Sequence, residues 1–460
     1  MKIASAALLG TAAAIPAAVM VAPASARTAF DSWLDQLVTG PAPLASRMTE
    51  AFTALERLKA ILAQLQAAQA AAAQQPPAPP AGGHAHHAGG DVRPAPTPSA
   101  TAAPAPMPGT TTGESAPTGR FIPTPGLDGL AAVASGLAQG PLLKKVPPAD
   151  TGRPDVVGAF RFLCQPSHLA YADPVMFPGD KTGKSHLHLF FGNTAANADS
   201  TFESLRRTGD SSCINPGNRS AYWKPALIQT NGAGRDEVVM PTYLNIYYKR
   251  RPASDPWYRA NGVTPVNLPR GLRYIFGWPT VKPQYKCVDP RTWSEVGTAG
   301  PDMQAVLSRC PVGAELYAIV DSPGCWDGKN LDSPDHRSHM SYTRGGAEHN
   351  WVEKCPSTHP YEIPKFTLQA AFKILPTDRP ATWRFSSDMM MPGARPGSTF
   401  HADWFGAWED SIADTWQEWC INKLLTCASG NLGNGTMMEE SATFRQMLQN
   451  RDRRVPVPAV

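Results

Sequence analysis

All eight cysteines of this 460-residue chain lie between Cys164 and Cys427. They are Cys164, Cys213, Cys287, Cys310, Cys325, Cys355, Cys420 and Cys427, and no two form a CxxC pair. Zinc-cluster spacing is therefore missing, and disulfides formed in an oxidising compartment are the natural reading. Eight cysteines allow about 105 complete pairings, so the sequence assigns none. It does confine the cross-linked, cooperatively folded part to about 155–430.

The N-terminus agrees with an oxidising destination. Met1-Lys2 gives a short positive start, an apolar run follows from Ile3 to Ala22, and Ala24-Ser25-Ala26 offers small residues for cleavage after Ala26. Segment 1–26 reads as a signal peptide, and secretion to the extracellular space is expected. No later run reaches the ~18 apolar residues of a membrane span. A formal net charge of +4 is too small and dispersed to argue for nucleic acid.

Composition divides the rest. Within 27–75, Met48, Leu55 and Leu62 interleave with Ala51, Leu58 and Leu65. This spacing fits an amphipathic helix over 46–75 that could self-associate. From 76 to 154 the chain is rich in Pro, Ala and Gly and reads as a largely disordered linker. His84, His86 and His87 lie in it as a weak metal-catching tract. The tail 431–460 is polar and reads as flexible.

The 155–430 region carries strand signals. Lys365 to Ile374 alternates Phe366, Leu368, Ala370, Phe372 and Ile374 against polar positions. Tyr243–Tyr248, Leu272–Phe276 and Leu316–Val320 are further strands. Ser411 is placed to cap a helix whose inner face holds Ile412, Trp416, Trp419 and Cys420. The expected fold is mainly β, a sandwich-like core with long loops and peripheral short helices.

Four segments could carry chemistry. In Ser185-His186-Leu187-His188-Leu189, a strand period of two would set His186 and His188 on one face and the leucines on the other. The second segment, Cys325 to Met340, gathers Asp327, Asn330, Asp332, Asp335, His336 and His339 around Gly328 and Pro334. It departs from the calcium-loop template and would otherwise be an Asx-rich turn. The third is Cys355-Pro356 with His359, where a structural hydrogen bond is the expected use of the imidazole. In the fourth, an extended chain would turn His401 and Asp403 the same way, so that the carboxylate orients an imidazole or joins a ligand shell.

These segments also resemble a known family. Asp173-Pro174-Val175, Ser185-His186-Leu187-His188 with Phe191-Gly192-Asn193, Ser220 to Leu227, Cys325 to Ser333, Asp335 to Met340, Cys355-Pro356 with His359-Pro360, and His401-Ala402-Asp403 are similar to successive signatures of the DUF1996 family. The resemblance covers about 155–425 and implies a secreted protein of a type common in fungi and found in bacteria. Some relatives look to be joined to modules for cell-wall sugars. It implies no reaction, cofactor or catalytic assignment.

The leading expectation is action on extracellular or cell-wall polysaccharide, by hydrolysis or elimination, through a His/Asp-rich cleft. Catalytic candidates are His186, His188, Asp327, Asp332, His336, His339, His401 and Asp403. Tyr222, Trp223, Trp326, Asn330 and Trp404 are the candidate glycan contacts. If a divalent metal takes part, His186, His188 and His339 are its expected ligands; no organic cofactor is indicated. Two alternatives stand beside this: a non-catalytic glycan-binding module with a structural polar centre, and a metal-dependent surface oxidoreductase. Cleavage after Ala26 would expose Arg27, which argues against a copper site built on an N-terminal histidine.

Overall fold

In a computed structural model, residues 142–147, 149, 156–343 and 354–459 are described. The 1–26 segment, the 46–75 helix, His84, His86, His87 and His349 lie outside the described residues, as does most of the 76–154 linker.

Two antiparallel sheets carry the fold, and strand sequences with alternating burial explain why they pack. The larger sheet runs, in spatial order, Ser294–Gly300, Gln284–Asp289, Glu315–Asp321, Lys365–Lys373, Tyr243–Arg250, Gly158–Cys164 and Thr426–Ala428. Only its last pair is parallel. The second sheet runs Arg273–Gly277, His401–Phe405, Ala221–Pro225, His188–Gly192 and Leu169–Ala170. Phe366, Leu368, Ala370 and Phe372 of the 365–373 strand are all buried, as the alternation requires.

Phe366 is where the sheets meet. Its ring lies 5.3 Å from Phe276, 5.5 Å from Trp404, 6.0 Å from Tyr222 and 4.9 Å from Tyr248. The first three rings belong to the five-stranded sheet and the last to the seven-stranded one, so the β-sandwich expected from the sequence is the observed architecture. The buried Tyr222 and Tyr248 hydroxyls satisfy each other across the interface at 2.9 Å.

Four disulfides tie the loops to this frame: Cys164–Cys213, Cys287–Cys310, Cys325–Cys355 and Cys420–Cys427. They account for every cysteine, as an oxidising compartment permits. Among the described residues, no helix is long and apolar enough to cross a membrane.

Two expectations are corrected here. The 431–460 segment is not a loose tail: Thr436–Met438 pairs with Leu143–Lys145, and Arg454–Pro456 pairs with Asp236–Val239. Arg454 donates through Nε to the fully buried Asp378 carboxylate at 2.7 Å, a charge that could not be buried alone. The C-terminal helix begins at Asp410 after Glu409, so Ser411 does not cap it. Ile412, Trp416 and Cys420 are buried there while Trp419 is 39% exposed, because a π-helical turn over Gln417–Ile421 follows.

Phe366→Ala should destabilise the domain by about 3–5 kcal/mol, since both sheets lose their shared ring. Denaturant unfolding of the variant against wild type measures this.

Candidate metal centre

The 401–405 strand alternates sharply. Ala402 and Trp404 point into the core, so His401 and Asp403 occupy the opposite face. Asp403 is opposite Trp223 on the neighbouring strand, and Trp223 is opposite Phe190 on the next. Two residues before Phe190, on the same face, stands His188, and His186 precedes that strand by two positions. The His186 and His188 rings lie 4.1 Å apart, and His186 and His401 5.2 Å. Strand pairing thus collects on one sheet face residues more than 200 positions apart in sequence.

Each imidazole is oriented by its Nδ1. Carbonyl oxygens only accept, so the contacts of His188 Nδ1 to Ala172 O at 3.0 Å and His401 Nδ1 to Thr399 O at 2.9 Å place a proton on each Nδ1. Ser386 Oγ spends its own proton on Leu187 O at 2.6 Å and so accepts from His186 Nδ1 at 3.0 Å. All three Nε2 atoms are left as lone pairs. His186 Nε2 and His401 Nε2 face each other at 3.3 Å. Bonds of about 2.0–2.1 Å to one tetrahedral zinc would set two nitrogens about 3.3 Å apart.

Carboxylates complete the cluster. His186, His188 and His401 present ligand atoms within 4.8 Å of one another, and so do Asp173, His188 and Asp403. Asp173 Oδ1 is held by the N–H groups of Val175 and Met176 at 2.9 and 2.8 Å. His188 Nε2 and both Asp403 carboxylate oxygens are buried without a hydrogen-bond partner. Burial lowers the His186 pKa to about 4 and the His401 pKa to about 3, and drives His188 well below its usual value, so all three are neutral at neutral pH. Burial also raises Asp173 to about 6, and burial with the Asp173 charge raises Asp403 well above the carboxylate range. Neutral imidazoles with carboxylates are the donor set that takes a divalent transition metal. His186 and His401 are the partly exposed members, so the cluster meets solvent on their side.

Two further residues tune the centre. Asp388, itself buried, accepts from the N–H groups of Phe385 and Gly397, both at 2.7 Å, and from the Thr399 hydroxyl at 2.7 Å. It fixes the segments that hold Ser386 and Thr399, the partners of His186 and His401. The Arg337 guanidinium donates to Ile275 O at 3.1 Å and Trp278 O at 3.0 Å, and its charge draws the Asp403 pKa down against the effect of burial.

The 325–340 loop serves differently from expectation. It lies along the outer edge of the 273–277 strand, with Arg273 N donating to Leu331 O and Ile275 N to His336 O, both at 3.0 Å. Asp327 closes an Asx turn through Lys329 N at 2.9 Å and Asn330 N at 3.0 Å. Asp332 binds Arg273 at 3.0 Å and His336 Nδ1 at 2.9 Å. His339 has both nitrogens engaged, Nδ1 with Ser333 Oγ at 2.8 Å and Nε2 with Arg273 O at 2.9 Å. It stands outside the ligand groups, and His401 occupies the place expected for it. His359 makes the structural bond foreseen for it, Nε2 to Ser338 O at 2.8 Å.

The glycan-contact expectation is corrected as well. Tyr222, Trp223, Trp326 and Trp404 are at most 1% exposed and offer no ring face to a sugar. Their size fills the sandwich and the packing beneath the centre, as in the stacked Phe190–Trp223 pair at 5.4 Å. Of the five residues, Asn330 alone is exposed, and it is bonded to Asp327 at 2.6 Å. Sequence reading missed Asp173, Ser386, Arg337 and Asp388; of these Asp173 and Arg337 stood in conspicuous motifs, Asp173-Pro174-Val175 and Asp335 to Met340, and Ser386 and Asp388 stood in none.

A family model described as a domain of unknown function, DUF1996, matches residues 173–408. The chain belongs to this family. The match begins at Asp173 and takes in His186, His188, His401 and Asp403, so the whole ligand cluster lies inside the family domain. No curated protein and no solved structure matches the chain.

His339→Ala should cost about 1–3 kcal/mol in denaturant unfolding, by leaving Ser333 and Arg273 O short of a partner, and should leave metal content unchanged. A variant that loses metal instead would return His339 to the ligand set.

Proposed function

We propose that this protein is a secreted, metal-dependent enzyme acting on extracellular polysaccharide, with His186, His188, His401 and Asp403 as metal ligands and Asp173 beside them. One observation carries the metal reading: His186, His188 and His401 stand at ligand spacing of one another, and His188 stands at the same spacing from Asp173 and from Asp403, whose buried carboxylate has no hydrogen-bond partner. A centre that only held loops together would be expected to match its polar atoms, because a buried unmet polar group costs about 1–3 kcal/mol. A cation would satisfy these atoms together.

Bound there, a divalent ion would polarise a substrate oxygen or supply a metal-bound hydroxide near neutral pH. Asp173, its Oδ1 pinned by two N–H groups and its pKa raised to about 6 by burial, would take or return a proton. Arg337 would neutralise excess negative charge around Asp403. The partly exposed side at His186 and His401 is the direction from which substrate would arrive. Secretion is supported by the cleavable-looking leader and by the four disulfides, and the polysaccharide class by the cell-wall sugar modules to which some members of the resembled family are joined.

The test is a glycan panel assayed for new reducing ends and for unsaturated products. Protein stripped with chelator should be inactive, and activity should return with one of zinc, manganese or copper. His401→Ala and Asp403→Asn should each lower the restored activity about a hundredfold. Equal activity in stripped and restored protein would sink the metal role, and no cleavage by any restored form would sink the enzyme reading.

A further inference from the structure

The hairpin of Gln284–Asp289 and Ser294–Gly300 forms one edge of the seven-stranded sheet, and its tip extends past the neighbouring strand. Asp289 pairs with Ser294, so the loop between them is Pro290-Arg291-Thr292-Trp293. The last rung to the inner neighbour joins Val288 to Glu315, before the loop begins. Just below, the Cys287–Cys310 disulfide braces the base of the hairpin. A short turn on a paired and cross-linked ladder is held in place while it faces solvent.

Trp293 closes this loop and is 67% exposed, the most exposed large apolar side chain among the described residues. Its backbone has φ 57°, a left-handed conformation that glycine or asparagine takes readily and a bulky residue only at a cost. Exposure and strain thus fall on one residue, and packing offsets neither. Strained backbone of this kind gathers at ligand contacts. The rest of the tip is polar. Arg291 grips Asp289 through Nε at 3.0 Å and Nη2 at 2.8 Å, which fixes the guanidinium plane and leaves Nη1 without a hydrogen bond among the described residues. The Thr292 and Ser294 hydroxyls, both exposed, pair at 2.7 Å.

We infer that this hairpin tip is a contact site for an uncharged polysaccharide, with a sugar ring stacked on the Trp293 indole and its hydroxyls bonded to Arg291 and to the Thr292–Ser294 pair. The inference takes its polymer class from the polysaccharide reading above, but the site is on the other sheet from the metal centre. An indole face takes the C–H face of a sugar, and a fixed guanidinium offers donors to neighbouring hydroxyls. Charge decides against other occupants. Asp289 and Arg291 cancel, and Glu295 is balanced by Arg309, which packs beside Gly297, so the tip has no field to draw a polyanion or an anionic membrane. An apolar protein pocket would have to strip water from the same polar groups.

Affinity electrophoresis of the full chain in soluble β-1,3-glucan, hydroxyethyl cellulose and galactomannan, with polygalacturonate and single-stranded DNA beside them, tests this. At least one of the neutral polymers should retard wild type, and neither polyanion should. Trp293→Gly should weaken that retardation about tenfold or more while melting no lower than wild type, because it removes the strain together with the ring. Trp293→Phe should keep most of the retardation, and Arg291→Ala should lose it several-fold. Metal content should stay at the wild-type level in all three variants, so failure here and failure of the metal-dependent reading are told apart. No retardation by any neutral polymer, unchanged retardation in Trp293→Gly, equal retardation by a polyanion, or a Trp293→Gly variant that melts well below wild type would overturn the assignment.

Discussion

The Asp403 carboxylate is the constraint on which the rest of the centre depends. It is buried on a central strand, neither oxygen has a hydrogen-bond partner, and the Arg337 charge draws its pKa down against the effect of burial. Isolating a carboxylate from water costs several kcal/mol unless a proton or a cation compensates. Around it the chain has spent polar groups on orienting rather than quenching. Ala172 O, Ser386 Oγ and Thr399 O each take a proton from an Nδ1, so that three Nε2 lone pairs turn inward. Ligands aligned through their remote nitrogens are the usual arrangement at protein metal sites.

The sandwich supplies the rigidity this demands. Main-chain ladders fix the spacing of the 188–192, 221–225 and 401–405 strands, and Phe366 locks that sheet against its partner. The centre occupies the outer face of the five-stranded sheet, away from the rings that Phe366 touches.

Much of this was legible in the sequence and part was not. The alternation at 365–374 reported its strand because one face of it is buried and the other is not. The pairing of His401 with Asp403 followed from the same period of two, whereas His186 lies before the strand that His188 opens. What spacing could not reveal was which distant segments become neighbours. His339, in the densest polar loop, looked the better ligand, yet loop geometry spends both its nitrogens on Ser333 and Arg273, while His401 reaches the centre through strand pairing. Tryptophans near polar motifs suggested sugar contacts, but large rings bury more easily than they stay exposed in a sandwich of this thickness.

X-ray absorption at the metal edge, on protein purified without chelator, reads the centre directly. About one transition metal per chain is expected, in a shell of nitrogen and oxygen donors at about 2.0–2.2 Å, with the outer scattering of several imidazoles. A protein that binds no metal under any loading, or a shell dominated by sulfur or water, would contradict it.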